Sequence, residues 1–271
     1  MARTGDGSTL ARVRAVSRAI SILRVFSARE PRLPLSEIAG RTSLDAGTVR
    51  RILITLRDEG IIRQDDGTGL YELTLEVIRL ASAVPEGSGL KELAENTLTA
   101  LANETQATTF LSIYRSGVAI CLARFHGAAP VQVNWWSVGE SLPINCGAAP
   151  KLLLAYASKE DREEVLAGEL TGLTSQSVTD PDILRTVLDE IRQQGWALSH
   201  DDVALGLSAV AVPLDLGPQP GSTSRAVAAI SVGGLTPQLM QDGKVACLDR
   251  LLESASALSE KIGNSSNLLL E

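Results

Sequence analysis

Residues 45–57 contain the side chains of this sequence that are best suited to contact nucleic acid. With about 100° of rotation per residue, the aliphatic side chains of the segment share one stripe of a helix. The opposite side and its flanks carry Gly47, Thr48, Arg50, Arg51 and Ile54. An arginine in the first turns of a helix that enters the major groove can read guanine or bind a phosphate. The pattern predicts a DNA-reading helix, although exposed arginines are also typical of an ordinary solvated face.

The cysteines and histidines predict no structural metal site. They are Cys121, Cys146, Cys247, His126 and His200. They form no C-x-x-C pair and no disulfide framework. His200 precedes two aspartates, but consecutive residues of a strand point to opposite faces, which disfavours a shared metal ion.

The sequence also lacks a recognisable catalytic group. Residues 206–210 lack the second glycine of a G-x-S-x-G nucleophile elbow. Cys146 has no neighbouring base in the sequence, which disfavours a catalytic thiol, and a redox-sensitive thiol is the better of these two alternatives. We therefore expect no catalytic residue, no metal and no cofactor.

Three short helices are predicted to position the arginines. Apolar residues recur with helical spacing over residues 11–27, and two prolines follow. Ser36 is a plausible N-cap of a second helix, and residues 42–45 form a turn with cap-forming side chains before the third.

A hairpin and a linker follow the third helix. Two β-prone runs, at residues 61–64 and 70–73, flank a turn with Asp-Gly chemistry. Residues 75–83 predict a short helix, and the breaker-rich residues 85–89 are typical of a linker. A domain boundary is expected here.

The rest of the chain mixes strands and helices irregularly, which predicts an α+β fold or a mixed sheet. Asp180 and Pro181 predict an N-cap and a first helical residue, and Gly195 predicts the end of the same helix. Other helices are predicted at residues 90–103, 151–157, 162–167 and 244–262, and strands at 107–114, 118–124, 131–135, 208–214 and 225–232.

Composition and charge limit the class of protein. The 271 residues are 44% hydrophobic but only 3% aromatic, so aliphatic side chains must build the cores. No apolar run approaches the roughly 18 residues of a membrane span, and we expect a cytoplasmic protein without a membrane partner. Residues 1–80 carry 13 Lys and Arg against 10 Asp and Glu, whereas residues 81–271 carry 12 against 22. A mildly basic head thus precedes an acidic body.

Ordered motifs in both halves resemble one family. Residues 17–23, 35–39, 47–53, 59–60 and 71–73 resemble the winged helix-turn-helix of the isocitrate lyase regulator (IclR) family of bacterial transcription factors. Residues 139–143, 151–155, 191–197 and 206–213 resemble its effector-binding domain, which is similar to a GAF fold. The matches run from about residue 14 to residue 263.

The resemblance implies a homodimer, often a dimer of dimers, on palindromic double-stranded operator DNA. The implied DNA-binding residues are Ser36, Asp45, Gly47, Thr48, Arg50, Arg51 and Arg63. Gly47 stands where the family usually has serine. Because Asp65 and Asp66 make the wing acidic, we expect its tip to avoid the minor groove and contact to centre on Thr48, Arg50 and Arg51.

The resemblance also implies a small-molecule effector, commonly a carboxylic acid. The implied effector-binding residues are Val133, Trp135, Cys146, Gly147, Ala148, Ser199, Leu207, Ala209, Ser231 and Gly233. The amides of Gly147 and Ala148 would bind a carboxylate, although this stretch also fits a plain helix-start loop. Ala209 and Gly233 are small, so we expect a larger or more hydrophobic effector. Trp135 and Trp136 are candidates for an apolar wall, or one of them packs in a core.

The resulting hypothesis is a ligand-responsive transcriptional regulator. It has a winged helix-turn-helix domain at residues 12–73, a linker helix and hinge at 74–89, and a GAF-like mixed α/β effector domain at 90–263, with disordered tails at 1–11 and 264–271. Two alternatives stay open, namely a small-molecule enzyme with a DNA-binding appendage and a metabolite sensor that does not bind DNA.

Overall fold

The computed structural model describes residues 13–27, 30–83, 89–115, 117–128, 134–218 and 225–263. The chain divides into two units between residues 85 and 86. Both predicted tails, most of the predicted linker, residues 131–133 of a predicted strand and the loop at 219–224 lie outside the described residues. Val133 of the predicted effector site is among them.

The first unit has the predicted order of three helices and a hairpin. Its elements are α1 (Arg14–Leu23), β1 (Arg32–Leu33), α2 (Leu35–Thr42), α3 (Ala46–Asp58), β2 (Ile62–Gln64), β3 (Tyr71–Leu73) and α4 (Glu76–Ala81). The strands form an antiparallel sheet in the order β1-β3-β2. Each of the three long helices contributes a fully buried aliphatic side chain to one core, respectively Ile22, Ile38 and Leu53. The fold therefore presents α3 on a small helical scaffold.

The start of α2 differs from the prediction. Ser36 is not its N-cap, because α2 begins at Leu35 and Pro34 takes the capping position in an extended conformation. The Pro34 carbonyl accepts the amides of Glu37 and Ile38 at 3.1 and 3.2 Å. Ser36 instead lies exposed in the first turn.

The hairpin turn also differs from the predicted Asp-Gly turn. The amide of Asp65 donates to the Leu70 carbonyl at 2.9 Å, which makes the loop longer than a two-residue turn. The Asp65 carboxylate accepts the Thr68 amide at 2.7 Å. Gly69, with φ of 71°, supplies the left-handed residue instead of Gly67.

The second unit is built on one six-stranded antiparallel sheet in the order β6-β5-β4-β9-β8-β7. Its elements are α5 (Leu90–Thr105), β4 (Thr108–Arg115), β5 (Val118–His126), β6 (Ser141–Leu142), α6 (Ala148–Tyr156), α7 (Lys159–Ala167), α8 (Pro181–Gln194), β7 (Ala197–His200), β8 (Leu207–Pro218), β9 (Arg225–Leu235), α9 (Thr236–Leu239), β10 (Met240–Gln241), β11 (Lys244–Val245) and α10 (Leu248–Gly263). This mixed α and β architecture confirms the predicted fold class.

Helices cover the two faces of the sheet separately. One core combines residues of α5 and α10 with the face of the sheet that carries Val210 and Ile230. The other combines α6 and α8 with the face that carries Ala209 and Ala229. Because strand residues alternate between faces, neighbouring residues of β8 serve different cores.

The helix predicted from Asp180, Pro181 and Gly195 is confirmed as α8. The Asp180 carboxylate accepts the amides of Asp182 and Ile183 at 2.9 and 3.0 Å, and Pro181 occupies the first helical position of α8. Gly195 ends the helix with φ of 81°.

Three other assignments are wrong. Residues 244–245 form β11 of a small hairpin, because Asp242 and Gly243 turn the chain with φ of 49° and 74°, and α10 starts only at Leu248. The predicted strand does not include Trp135, which lies in an irregular segment. β7 ends at His200 and Asp201 has φ of 59°, so residues 200–202 do not continue a strand.

Candidate functional site

The third helix separates a buried side from a cationic side. Val49 and Leu53 are fully buried in the core of the first unit. Arg50 and Arg51 are exposed, and Ile54 is 43% exposed. The predicted division of this helix into two faces is therefore confirmed.

Asp45 fixes the start of α3. It lies at the N-cap in an extended conformation, and its Oδ1 accepts the Thr48 amide at 2.8 Å. Hydrogen bonds from Thr48 lower the pKa of Asp45 below its ordinary value. A Cβ atom at Gly47 would lie 3.2 Å from the same Oδ1. The absence of a side chain at Gly47 thus leaves the cap uncrowded.

Arg50 and Arg51 have no carboxylate partner among the described residues, whereas Arg32, Arg41 and Arg63 of the same unit do. Arg41 donates to both carboxylate oxygens of Glu30 at 2.8 Å and to Glu37 at 2.9 Å. A paired guanidinium has less charge to offer to a phosphate, so Arg50 and Arg51 keep their charge available on the outer side of α3.

The arginines of the wing, which is the sheet of β1, β3 and β2, also pair with a carboxylate. Glu72 on β3 accepts from Arg32 at 2.5 Å and from Arg63 of β2, its cross-strand neighbour. These hydrogen bonds lower the pKa of Glu72. With the exposed Asp65 and Asp66 nearby in the loop, the wing has little positive charge to spare. A contact of Arg63 with DNA stays a prediction.

The register of the sheet brings four predicted effector residues onto one face. Ser199, Ala209 and Gly233 are direct neighbours across β7, β8 and β9, and Ser231 lies two residues from Gly233 on the same face. Leu207 lies two residues from Ala209 and is half-buried. Ser199, Ala209 and Ser231 are at most 3% exposed. Small side chains therefore line the middle of this face.

The two tryptophans have different environments. A Cβ atom at Gly233 would lie 3.1 Å from Cζ2 of Trp135 and 3.2 Å from Cε2 of Phe110, so Trp135 lies directly over the glycine. Trp136 is 2% exposed and donates its Nε1 proton to the Glu140 carbonyl at 2.8 Å. Trp136 thus packs in the core, and Trp135 remains the candidate for an apolar wall.

The loop before α6 is held by its own hydrogen bonds. The Asn145 side-chain amide donates to the carbonyls of Thr171 and Val178 at 3.0 and 2.8 Å. Cys146 is buried, and its burial raises the pKa of the thiol. A thiol that stays protonated is a poor nucleophile.

Asp202 is not among the predicted site residues, yet its buried carboxylate occupies the start of α6. Its Oδ2 accepts the Gly147 amide at 3.1 Å and the Lys151 ammonium at 2.6 Å, and its Oδ1 accepts the Ser199 hydroxyl. Asp202 and Lys151 are 2% and 5% exposed. Gly147 and Ser199 were predicted to contact the effector, whereas in this structure both donate to Asp202.

The available signal for Asp202 was weak. A lysine in the first turn of α6 and an aspartate after β7 are separated by 51 residues. Nothing local pairs them, and in the sequence residues 200–202 suggest only a weak set of metal ligands. Within the described ranges, no group of three or more potential metal ligands is found.

No helix in the described part of the chain combines the length and the apolar character of a membrane span.

Comparisons with known proteins cover both units. A model of the C-terminal domain of the bacterial transcriptional regulator IclR matches residues 83–260, and a model of the IclR helix-turn-helix domain matches residues 15–66. The HTH-type transcriptional regulator XynR of Escherichia coli K12 is 27% identical over 253 residues, which cover 93% of this chain and 98% of XynR.

Solved structures have the same fold. An IclR transcriptional regulator from a Silicibacter species superposes with a TM-score of 0.79 at 26% identity, covering 92% of this chain and 96% of that one. An IclR homologue from Microbacterium hydrocarbonoxydans, solved in complex with 4-hydroxybenzoate, superposes with a TM-score of 0.71 at 23% identity, covering 93% and 100%. The curated relatives are named as regulators rather than as enzymes. The chain therefore belongs to the IclR family of bacterial transcriptional regulators.

Proposed function

We propose that this regulator binds a palindromic operator as a homodimer, with α3 of each protomer in a major groove. The observation that carries the proposal is the exposure of Arg50 and Arg51, which have no ion pair with the described residues, on a helix whose start is fixed by Asp45. Thr48 lies in the same first turns, and Ser36 lies exposed in the first turn of α2, where it would contact the phosphate backbone. Such binding implies a cytoplasmic protein.

Exposed aliphatic side chains in the first unit support the homodimer. On α1 and just before it, Val13, Val16 and Ile20 are 65%, 59% and 42% exposed. On α4 and just before it, Leu75 and Ile78 are 79% and 65% exposed. A second copy of the chain would remove these side chains from water. Association of two dimers belongs to the same proposal and is tested with it.

The second unit is proposed to bind the effector on the sheet face that carries Ala209, Ser231 and Gly233. The side chains on this face are small, and the ring of Trp135 packs directly on Gly233, so a ligand bound here would lie against that ring. These features favour an effector with an apolar body. If it carries a carboxylate, the amide of Ala148 at the start of α6 is the remaining predicted donor.

Operator binding is tested by fluorescence anisotropy of the full chain against labelled duplexes tiled across the region upstream of its own gene. If all four arginines of a dimer bind phosphates, log K falls with log salt with a slope of about −3.6. Analytical ultracentrifugation of the complex reports the oligomeric state. Affinity that is equal for all duplexes, or insensitive to salt, contradicts the proposal.

Effector control is tested by a thermal-shift screen of small acids and their neutral analogues, followed by operator titrations with each hit. A true effector must change operator affinity, because it binds one arrangement of the protein better than the other. A hit that is turned over chemically would favour the enzyme alternative.

A further inference from the structure

The carboxylate of Asp202 fills a cradle that would otherwise suit an anion. The cradle consists of the Gly147 amide, the Lys151 ammonium and the Ser199 hydroxyl, all of which donate to Asp202. Together these donors satisfy both oxygens of one carboxylate. Asp202 thus supplies, from the protein itself, the carboxylate for which this cradle is suited.

The segment that carries Asp202 is anchored on both sides. Its backbone carbonyl accepts the Ser177 hydroxyl at 2.7 Å, and the carbonyl of Asp201 accepts the Thr174 hydroxyl at 2.7 Å. The Asp201 side chain also accepts the Gly206 amide at 2.6 Å. These bonds fix the backbone from which the Asp202 side chain extends, and a competing ligand would also have to break the three hydrogen bonds of the carboxylate itself.

The charge inside the cradle is already balanced. Lys151 lies 2.6 Å from Asp202 Oδ2, and the side chains of the two residues are 6% and 3% exposed. A second carboxylate placed against Gly147 would meet the first carboxylate in a poorly hydrated region, with one ammonium between them. Like charges in such a region repel strongly.

We propose that Asp202 determines the charge specificity of the effector site. It acts as a resident carboxylate, so that the part of the effector that lies against Gly147 and Ser199 is uncharged. This inference rests on the proposed function of the second unit, because it concerns the ligand of that same site. An anionic group on the effector would have to lie elsewhere on the face.

The first test is rescue by a free carboxylate. Asp202→Ala keeps the β-carbon and removes a carboxylate group of the size of formate. We expect sodium formate, compared with sodium chloride at equal ionic strength, to raise the Tm of Asp202→Ala saturably and to leave the wild-type Tm unchanged. Formamide, which has nearly the same shape without the charge, should not rescue. Asp189→Ala is the control, since it removes an exposed carboxylate of α8 outside the cradle, and Asp202→Ala/Lys151→Met should lose the rescue.

The second test reads specificity and uses the isosteric variant Asp202→Asn, which serves if Asp202→Ala does not fold. Isothermal titration of the full chain with benzoate and benzamide compares two probes of one shape and different charge. We expect the wild type to prefer benzamide, and Asp202→Asn to shift the ratio toward benzoate by about tenfold or more, because Lys151 is then uncompensated. An absence of formate rescue in a folded Asp202→Ala, an unchanged ratio, or no binding of either probe by both proteins overturns the inference.

Neither readout uses DNA, so failure of the proposed function is seen separately. If the rescue and the shift occur but no ligand alters operator affinity, effector control fails while the charge specificity of Asp202 stands. If operators respond to ligands without the rescue or the shift, the inference about Asp202 fails alone.

Discussion

Replacement of Arg51 by alanine tests the DNA-reading face most directly. The side chain is exposed and has no ion pair with described residues, so its removal should change the free energy of unfolding by no more than about 0.5 kcal/mol. Loss of one arginine contact to DNA costs about 1–3 kcal/mol. A homodimer presents two such helices at separate half-sites, so the two losses add to about 2–6 kcal/mol. The lower value corresponds to a roughly 30-fold weaker operator complex.

The assay is an anisotropy titration at several salt concentrations, with Arg41→Ala as the matched control. Both variants lose one positive charge per protomer from the same unit, but Arg41 is already paired with Glu30 and Glu37. The difference in operator affinity between the two variants therefore separates a direct contact of Arg51 with DNA from long-range electrostatic attraction. If Arg51 binds phosphate, the salt slope of its variant falls by about 1.8 per dimer, whereas a base contact relaxes sequence preference instead. Equal affinities of the two variants would refute the assignment of this face.

Three further predictions concern the cap, the wing and the sheet face. Asp45→Ala should lower both the Tm of the first unit and operator affinity, whereas Asp45→Asn, which can still cap α3, should preserve both in thermal melts and titrations. Glu72→Gln should strengthen DNA binding, because it removes the carboxylate that pairs with the arginines of the wing. The pKa of Glu72 is lowered in the fold, so its contribution to stability is present above the ordinary carboxyl pKa and is lost as the pH falls through the lowered value. The Tm of the variant, measured as a function of pH, should therefore fall less in acid than the Tm of the wild type. Gly233→Val should lower the free energy of unfolding by about 1–3 kcal/mol in denaturant titrations, because the added side chain crowds Trp135 and Phe110. The same variant should still bind the operator but lose the effector response, as measured by operator titrations with ligand.

Local rules explain what the sequence could predict. The two faces of α3 follow from helical periodicity. Aliphatic side chains recur every three or four residues along one side and must be buried, which leaves Arg50 and Arg51 on the other side. The caps of α8 follow from Asp180 and Gly195, whose side-chain chemistry and backbone freedom act within a few residues.

Loop details and long-range pairing could not be obtained in this way. Ser36 has the right chemistry for an N-cap, but Pro34 already holds the extended conformation that precedes a helix. In the wing, two glycines compete for one left-handed position, and the hydrogen bonds of Asp65 place it at Gly69. The ion pair between Lys151 and Asp202 depends on tertiary structure alone, and Trp135 is positioned over Gly233 only when the sheet has formed.

The pairing of arginines within the first unit has a consequence for the search along a chromosome. Arg32, Arg41 and Arg63 are held by neighbouring carboxylates, and the chain as a whole carries a net charge of −7. Sequence-independent affinity for DNA comes almost entirely from neutralised phosphates, so this protein should release random genomic sites quickly. Few copies would then be sequestered on irrelevant DNA, and a small cellular pool would suffice to occupy its target.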